Sequence, residues 1–158
     1  MVGFRRRIRE CLPLAGLIIL WLPESAAAQL LDLSVSPAVV SFAAVDPDVV
    51  PIISSAPVTI NYRVRQNNQQ TWLLTVIASG DLVSGPSTVD ISAVSWVATP
   101  APPFQDGTLS KTVASTVATG PGNQASPATG SLTFRLANSW TYDAGIYTQS
   151  IVFTLSTP

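Results

Sequence analysis

Residues 58–65 read Val-Thr-Ile-Asn-Tyr-Arg-Val-Arg, an unbroken alternation of apolar and polar side chains. A period of two places Val58, Ile60, Tyr62 and Val64 on one face and Thr59, Asn61, Arg63 and Arg65 on the other, the pattern of a half-buried β-strand. The period recurs down the chain, and no stretch after residue 28 carries the 3.6-residue period of an amphipathic helix. Residues 72–78 (WLLTVIA) read as a more fully buried strand, and the polar run 66–70 before them predicts a hairpin with 58–65. Further strands are expected at 30–35, 39–42, 89–98, 109–117, 132–137 and 146–156. The separators are rich in Pro, Gly, Asp and Ser. Seven to eight short strands in one small domain predict an all-β fold, an antiparallel β-sandwich rather than a barrel. Two separators stand out: 99–107 (TPAPPFQDG) predicts a stiff extended loop, and 118–130 (ATGPGNQASPATG), which has nothing large to pack, a flexible surface loop.

Residues 1–28 read as a signal peptide. Arg5, Arg6, Arg7 and Arg9 form a basic start, residues 11–23 an apolar run short of the ~20 residues that span a bilayer, and Ser25 to Ala28 a small-residue cleavage site. Cleavage before Gln29 leaves 130 of the 158 residues, a single domain over 29–158. That chain retains Arg63, Arg65, Lys111 and Arg135 against seven aspartates, a net charge of −3. It has no basic patch for phosphates, so no nucleic-acid partner is expected, and no second long apolar run, so no membrane span. The only cysteine, Cys11, leaves with the signal, so the secreted domain is held by its core and not by a disulfide.

The residue inventory after cleavage constrains chemistry further. With no His, Cys or Glu left, Ser-His-Asp triads, Cys-His pairs and tetrahedral zinc sites are excluded. Ser110-Lys111 places a serine beside a lysine, but adjacent strand residues point to opposite faces, which suits a solvated lysine better than a general base. The aspartates fall mostly in turns, where their side chains cap backbone amides, and Asp46-Pro47-Asp48 reads as an Asx-turn in preference to a calcium loop. No catalytic residue, metal ligand or cofactor is expected. Among the aromatics, Trp72 shares a face with Leu74 and Val76 and reads as core. Trp96 shares a face with Asp90, Ser92 and Val94 and is expected to be partly exposed. With Trp140 and Tyr142, beside Asn138 and Ser139, it forms a set of candidate binding aromatics that could stack on sugars.

Three resemblances rest on particular residues. Asp143-Ala144-Gly145-Ile146-Tyr147 resembles the tyrosine corner of immunoglobulin-like domains, which implies an immunoglobulin-like sandwich in which the Tyr147 hydroxyl bonds back to the main chain just upstream. Trp72-Leu73-Leu74, with Gly145-Ile146-Tyr147-Thr148 leading into the final strand, resembles the bacterial WxL domain, which implies attachment to a cell surface. The same C-terminal pattern is similar to spore-coat-U-type pilus subunits. That likeness implies donor-strand complementation between identical subunits, with Leu31, Leu33 and Val35 as the candidate donor strand.

The expectation is therefore a secreted, non-catalytic protein with a structural or adhesive role at a bacterial cell surface or envelope. Its partners would be an envelope component or glycan, or identical subunits. The final strand carries Tyr147, Ile151, Phe153 and Leu155 on one face and a mostly polar opposite face that Val152 interrupts. That pattern predicts closure by the chain's own front strand, Leu31–Val35, pairing with the last one.

Overall fold

The computed structural model describes residues 29–66 and 70–158; the predicted signal peptide lies outside the described residues. Among the described residues, eleven strands run in the order β1 (Leu30–Ser36), β2 (Ile52–Ser54), β3 (Val58–Arg65), β4 (Thr71–Ala78), β5 (Leu82–Ser84), β6 (Ser87–Val89), β7 (Val94–Thr99), β8 (Gly107–Thr108), β9 (Ser115–Pro121), β10 (Gln124–Ala137) and β11 (Ile151–Ser156). One antiparallel sheet has the order β1-β3-β10-β7-β8, with β2 also on β10; a second has the order β11-β4-β9; β5 and β6 form a separate hairpin. The fold is all-β, two antiparallel sheets packed face to face.

The alternation of β3 buries Val58, Ile60, Tyr62 and Val64, and that of β4 buries Trp72, Leu74, Val76 and Ala78. The two strands nevertheless do not form the expected hairpin. They belong to opposite sheets and meet through their buried faces, with the Tyr62 and Trp72 rings 4.9 Å apart. Period two identifies the face that is buried, and two strands with the same inward face can pair side by side or stand opposite each other.

The front strand also has a different partner. β1 pairs with β3 over its whole length, Leu33 opposite Tyr62 and Val35 opposite Ile60, instead of pairing with β11. Leu33 and Val35 pack on the core from that edge, and Asp32 meets Arg63 at 3.3 Å on the outer face. β1 approaches β11 where the Thr157 hydroxyl donates to Gln29 Oε1 at 3.2 Å. Val152, the residue off pattern in β11, stands opposite Ile77, so its apolar side chain has a cross-strand neighbour on the outer face.

Several boundaries move. Residues 39–42 form no strand, and the 89–98 run is broken by a single 3-10 turn, Ile91–Ala93, capped by the Asp90 carboxylate accepting from the Ser92 amide at 2.8 Å. In the 109–117 run, regular pairing begins only at Ser115, and in 146–156 only at Ile151.

The largest correction concerns 118–130, expected as a flexible loop: it is strand on both sides of a turn at Gly122 (φ +68°), where the chain passes from β9 in one sheet to β10 in the other. Its small residues are seats for aromatic rings. A Cβ at Gly120 would lie 2.7 Å from the Trp72 ring, and one at Gly130 would overlap the Phe104 ring. Phe104 comes from the proline-rich 99–107 segment, which lies along the outer edge of β9: Gln105 donates its amide to the Val117 carbonyl at 2.9 Å, and Phe104 bridges to Ala118. Replacing Gly130 by Ala should therefore overpack this seat and lower stability by about 1–3 kcal/mol. Urea unfolding would measure it, and an unchanged midpoint would show that the Phe104 ring does not depend on the missing Cβ.

Candidate functional site

The residues weighed for catalysis and metal binding make the following contacts. Lys111 Nζ lies 2.6 Å from Asp81 Oδ2, and this hydrogen bond raises the lysine pKa, the opposite of what a general base requires. The Ser110 hydroxyl faces Thr112 Oγ1 at 3.2 Å and accepts the amides of Thr112 and Val113. Asp46 caps its own turn, accepting the Asp48 amide at 2.8 Å. Asp106 accepts the Ala98 amide at 2.8 Å, and Asp143 accepts from the Ser87 hydroxyl. Among the described residues, no group of three or more His, Cys, Asp or Glu side chains converges on a metal position.

The candidate aromatics separate. Trp72 is buried with Leu74 in the core. Trp96, expected to be partly exposed, is only 1 % exposed; its indole N–H donates to the Gln105 carbonyl at 2.9 Å and its ring meets Phe134 edge-on at 6.4 Å. The expectation failed because the 3-10 turn Ile91–Ala93, which Asp90 caps and which contains Ser92, breaks the alternation on which that face was counted. Trp140 is 67 % exposed, and Tyr142, nearby in sequence, is partly exposed.

The corner before the last strand is built from local bonds. The Tyr147 hydroxyl donates to the Asp143 carbonyl, four residues upstream, at 3.1 Å. Ser84 packs so closely on Gly145 that a Cβ there would clash with its side chain. Val83 and Thr148 exchange two main-chain bonds of 3.0 Å, and the Gln149 side-chain amide donates to the Asp81 carbonyl at 2.6 Å. Residues 143–149 are thus clamped on one side to the β5–β6 hairpin.

On the other side the sandwich is open. Between the corner segment and residues 38–45 lies a cavity of about 1030 Å³, floored by Ile53, Ile91, Val94, Leu109 and Phe134. Two features make this opening the candidate site. First, main chain is left free along its borders: β11, which reaches the cavity at Ile151, is an edge strand bonded only to β4, and among the described residues no main-chain bond joins 38–45 to another segment. The strap is instead tied by a side chain, Asn138 Nδ2 donating to the Val45 and Val50 carbonyls, each at 3.0 Å. Second, its rim is apolar, with Val39 77 % and Ile146 86 % exposed beside Trp140. Asp143, engaged with Ser87, is the single charged residue lining it.

Of the residues singled out from sequence, Trp140, Tyr142, Asp143, Gly145 and Tyr147 line this opening. Trp72, Leu74 and Trp96 do not, and Leu31, Leu33 and Val35 are held on β3. The strap 38–45 and Asn138 were missed as site residues. The signal was the apolar run Ala-Val-Val-Ser-Phe-Ala-Ala-Val, which is too continuous for a strand solvated on one face. No known protein family, curated protein or solved structure matches the chain.

The Lys111 hydrogen bond, followed by the Ile91 amide, holds the Asp81 carboxyl below the usual carboxylate range. A depressed folded pKa stabilises above the unfolded value, ~3.9, and that contribution is lost as pH falls through the folded value. The Asp81→Asn protein should thus lose less thermal stability than the parent on acidification from pH 5 to pH 2. Parallel pH curves for the two would refute the assignment.

Proposed function

We propose that this protein is a secreted, non-catalytic structural module of a bacterial cell surface or envelope, and that it works by accepting an extended segment of a partner polypeptide into its open side. The observation that carries the reading is the coincidence of an apolar cavity with a strap, 38–45, that makes no described main-chain bond to another segment and with the free outer edge of β11, which reaches the cavity at Ile151. An apolar small molecule would fill the cavity and leave those amides and carbonyls unanswered. An added strand satisfies both, with main-chain bonds for affinity and alternate side chains for fit. The wall 38–45 accommodates about eight extended residues at ~3.3 Å each. The floor requires the inward-facing side chains of the incoming segment to be apolar and uncharged.

Self-assembly through Leu31, Leu33 and Val35 is less well supported than a separate partner segment. Donating β1 would strip seven paired residues from β3 of the same chain and expose the core that Leu33 and Val35 cover. The glycan reading loses Trp96 to the core and retains only Trp140 and Tyr142.

The test is a fusion in which a flexible Gly/Ser linker and a segment alternating valine and threonine follow Pro158. Tethering gives an effective concentration on the order of millimolar, and if that is a hundred times Kd the gain is about 2.7 kcal/mol. Tm should then rise by roughly 5 °C or more. A fusion with aspartate at the inward positions should not gain. If both fusions melt with the parent, the opening is not a strand acceptor.

A further inference from the structure

Trp140 is out of place on an ordinary surface. It sits at the apex of a turn in which the Tyr142 amide donates to the Ser139 carbonyl at 3.3 Å, the Thr141 amide to the Ser139 hydroxyl at 3.2 Å, and the Ser139 amide to Asn138 Oδ1 at 3.1 Å. Asn138 in turn donates its main-chain amide to Pro51 and its side-chain amide to Val45 and Val50, so the turn is bolted to the strap across the opening. The indole is therefore held out into solvent at the mouth of the cavity by a preorganised scaffold, with Ile146 and Val39 exposed on the two lips. The other two tryptophans of the chain from Gln29, Trp72 and Trp96, are buried with ring partners.

We propose that Trp140 is the anchor that closes over the inserted strand, its ring covering the backbone of an uncharged, apolar polypeptide segment once that segment lies between the strap and β11. The proposal rests on the strand-acceptor reading and adds the residue that dominates its affinity. A large aromatic on a hydrogen-bonded turn, lining a cavity whose rim also exposes Val39 and Ile146, has the properties of an interface hot spot: it has few rotatable bonds to fix on binding and excludes much water. A sugar platform would need hydrogen-bonding groups directed at the ring's neighbourhood. Here the Asn138 amide and the Ser139 and Thr141 hydroxyls are engaged within the turn and strap.

Because Trp72 and Trp96 are buried, acrylamide quenching in the processed chain reads Trp140. In the strand fusion, Trp140 emission should shift to the blue and its quenching constant should fall several-fold relative to the parent. In trans, a fluorescein-labelled alternating valine–threonine peptide should bind Trp140→Ala at least ~10-fold more weakly than the parent, and Trp140→Phe should recover most of the loss. The melting temperature of the unfused Trp140→Ala chain should stay within about 1 °C of the parent, as expected of an exposed side chain. A fusion that gains stability while Trp140 remains fully quenchable leaves the strand acceptor standing and overturns the anchor. So does equal peptide affinity in Trp140→Ala. Protection of Trp140 by a soluble cell-wall polysaccharide, with none from the strand, overturns it in favour of sugar stacking. If neither fusion nor peptide binds, the acceptor reading falls and the anchor with it.

Discussion

The two sheets are held together along one seam by aromatic rings lying on glycines. Trp72 stands opposite Gly120 across the β4–β9 pair, Trp96 opposite Gly107 across the β7–β8 pair, and Phe104 rests on Gly130 of β10. β8 and β9 are edge strands of their respective sheets, so each tryptophan leans over the glycine of its edge neighbour and fills the space that neighbour leaves empty. The arrangement gives large buried area without a bulky edge strand, and it lets the 99–107 segment bond to β9 and shield its edge. A domain without disulfides depends on such packing for its coherence.

The opposite seam has none of this. β1 and β11 approach at the Gln29–Thr157 end, and toward the other end the chain leaves β1 at Pro37 and runs as an unpaired strap. Ile151, Phe153 and Leu155 pack against the core yet stay partly exposed, because no described strand bonds to the outer edge of β11. One seam is thus closed by side chains and a proline-rich edge cover. The other is left with apolar floor and free main chain, an arrangement that a lone soluble domain would otherwise pay for in aggregation. At the open seam it is therefore main-chain groups, and not reactive side chains, that stand free.

Much of this was legible in the sequence, and what was not has physical causes. Alternation located the buried faces of β3 and β4, because the pleat repeats every two residues whatever the partner. It could not assign the partner, so the β3–β4 hairpin and the pairing of β1 with β11 both failed. Gly120 and Gly130 read as loop because a strand residue lacking a side chain looks like a turn until the ring that occupies its place is known, and both rings come from elsewhere in the chain. Phe104 was hidden among prolines for the same reason. Trp96 was misplaced because one 3-10 turn shifts the count by which faces are assigned. Of the site, the corner residues Asp143, Gly145 and Tyr147 were visible as a local motif. The strap's apolar run was visible, but that its main chain goes unpaired was not, since no residue type marks it.

The cis pairing of β1 bears on what can occupy the open side. A strand already bonded along one edge and packed through Leu33 and Val35 is a finished part of its own sheet, and moving it exchanges one exposed edge for another. A strand entering the proposed acceptor would displace no described main-chain pairing of the strap or of the outer edge of β11. Against the proposed insertion stand the ordering of the incoming segment, roughly 1–2 kcal/mol per residue of backbone, and its lost rigid-body freedom, which main-chain bonds together with apolar burial in a cavity of about 1030 Å³ must exceed. A rigid aromatic at the mouth shifts that balance: it adds contact area while contributing almost no ordering cost of its own, since Asn138 and Ser139 have already fixed the turn that carries it.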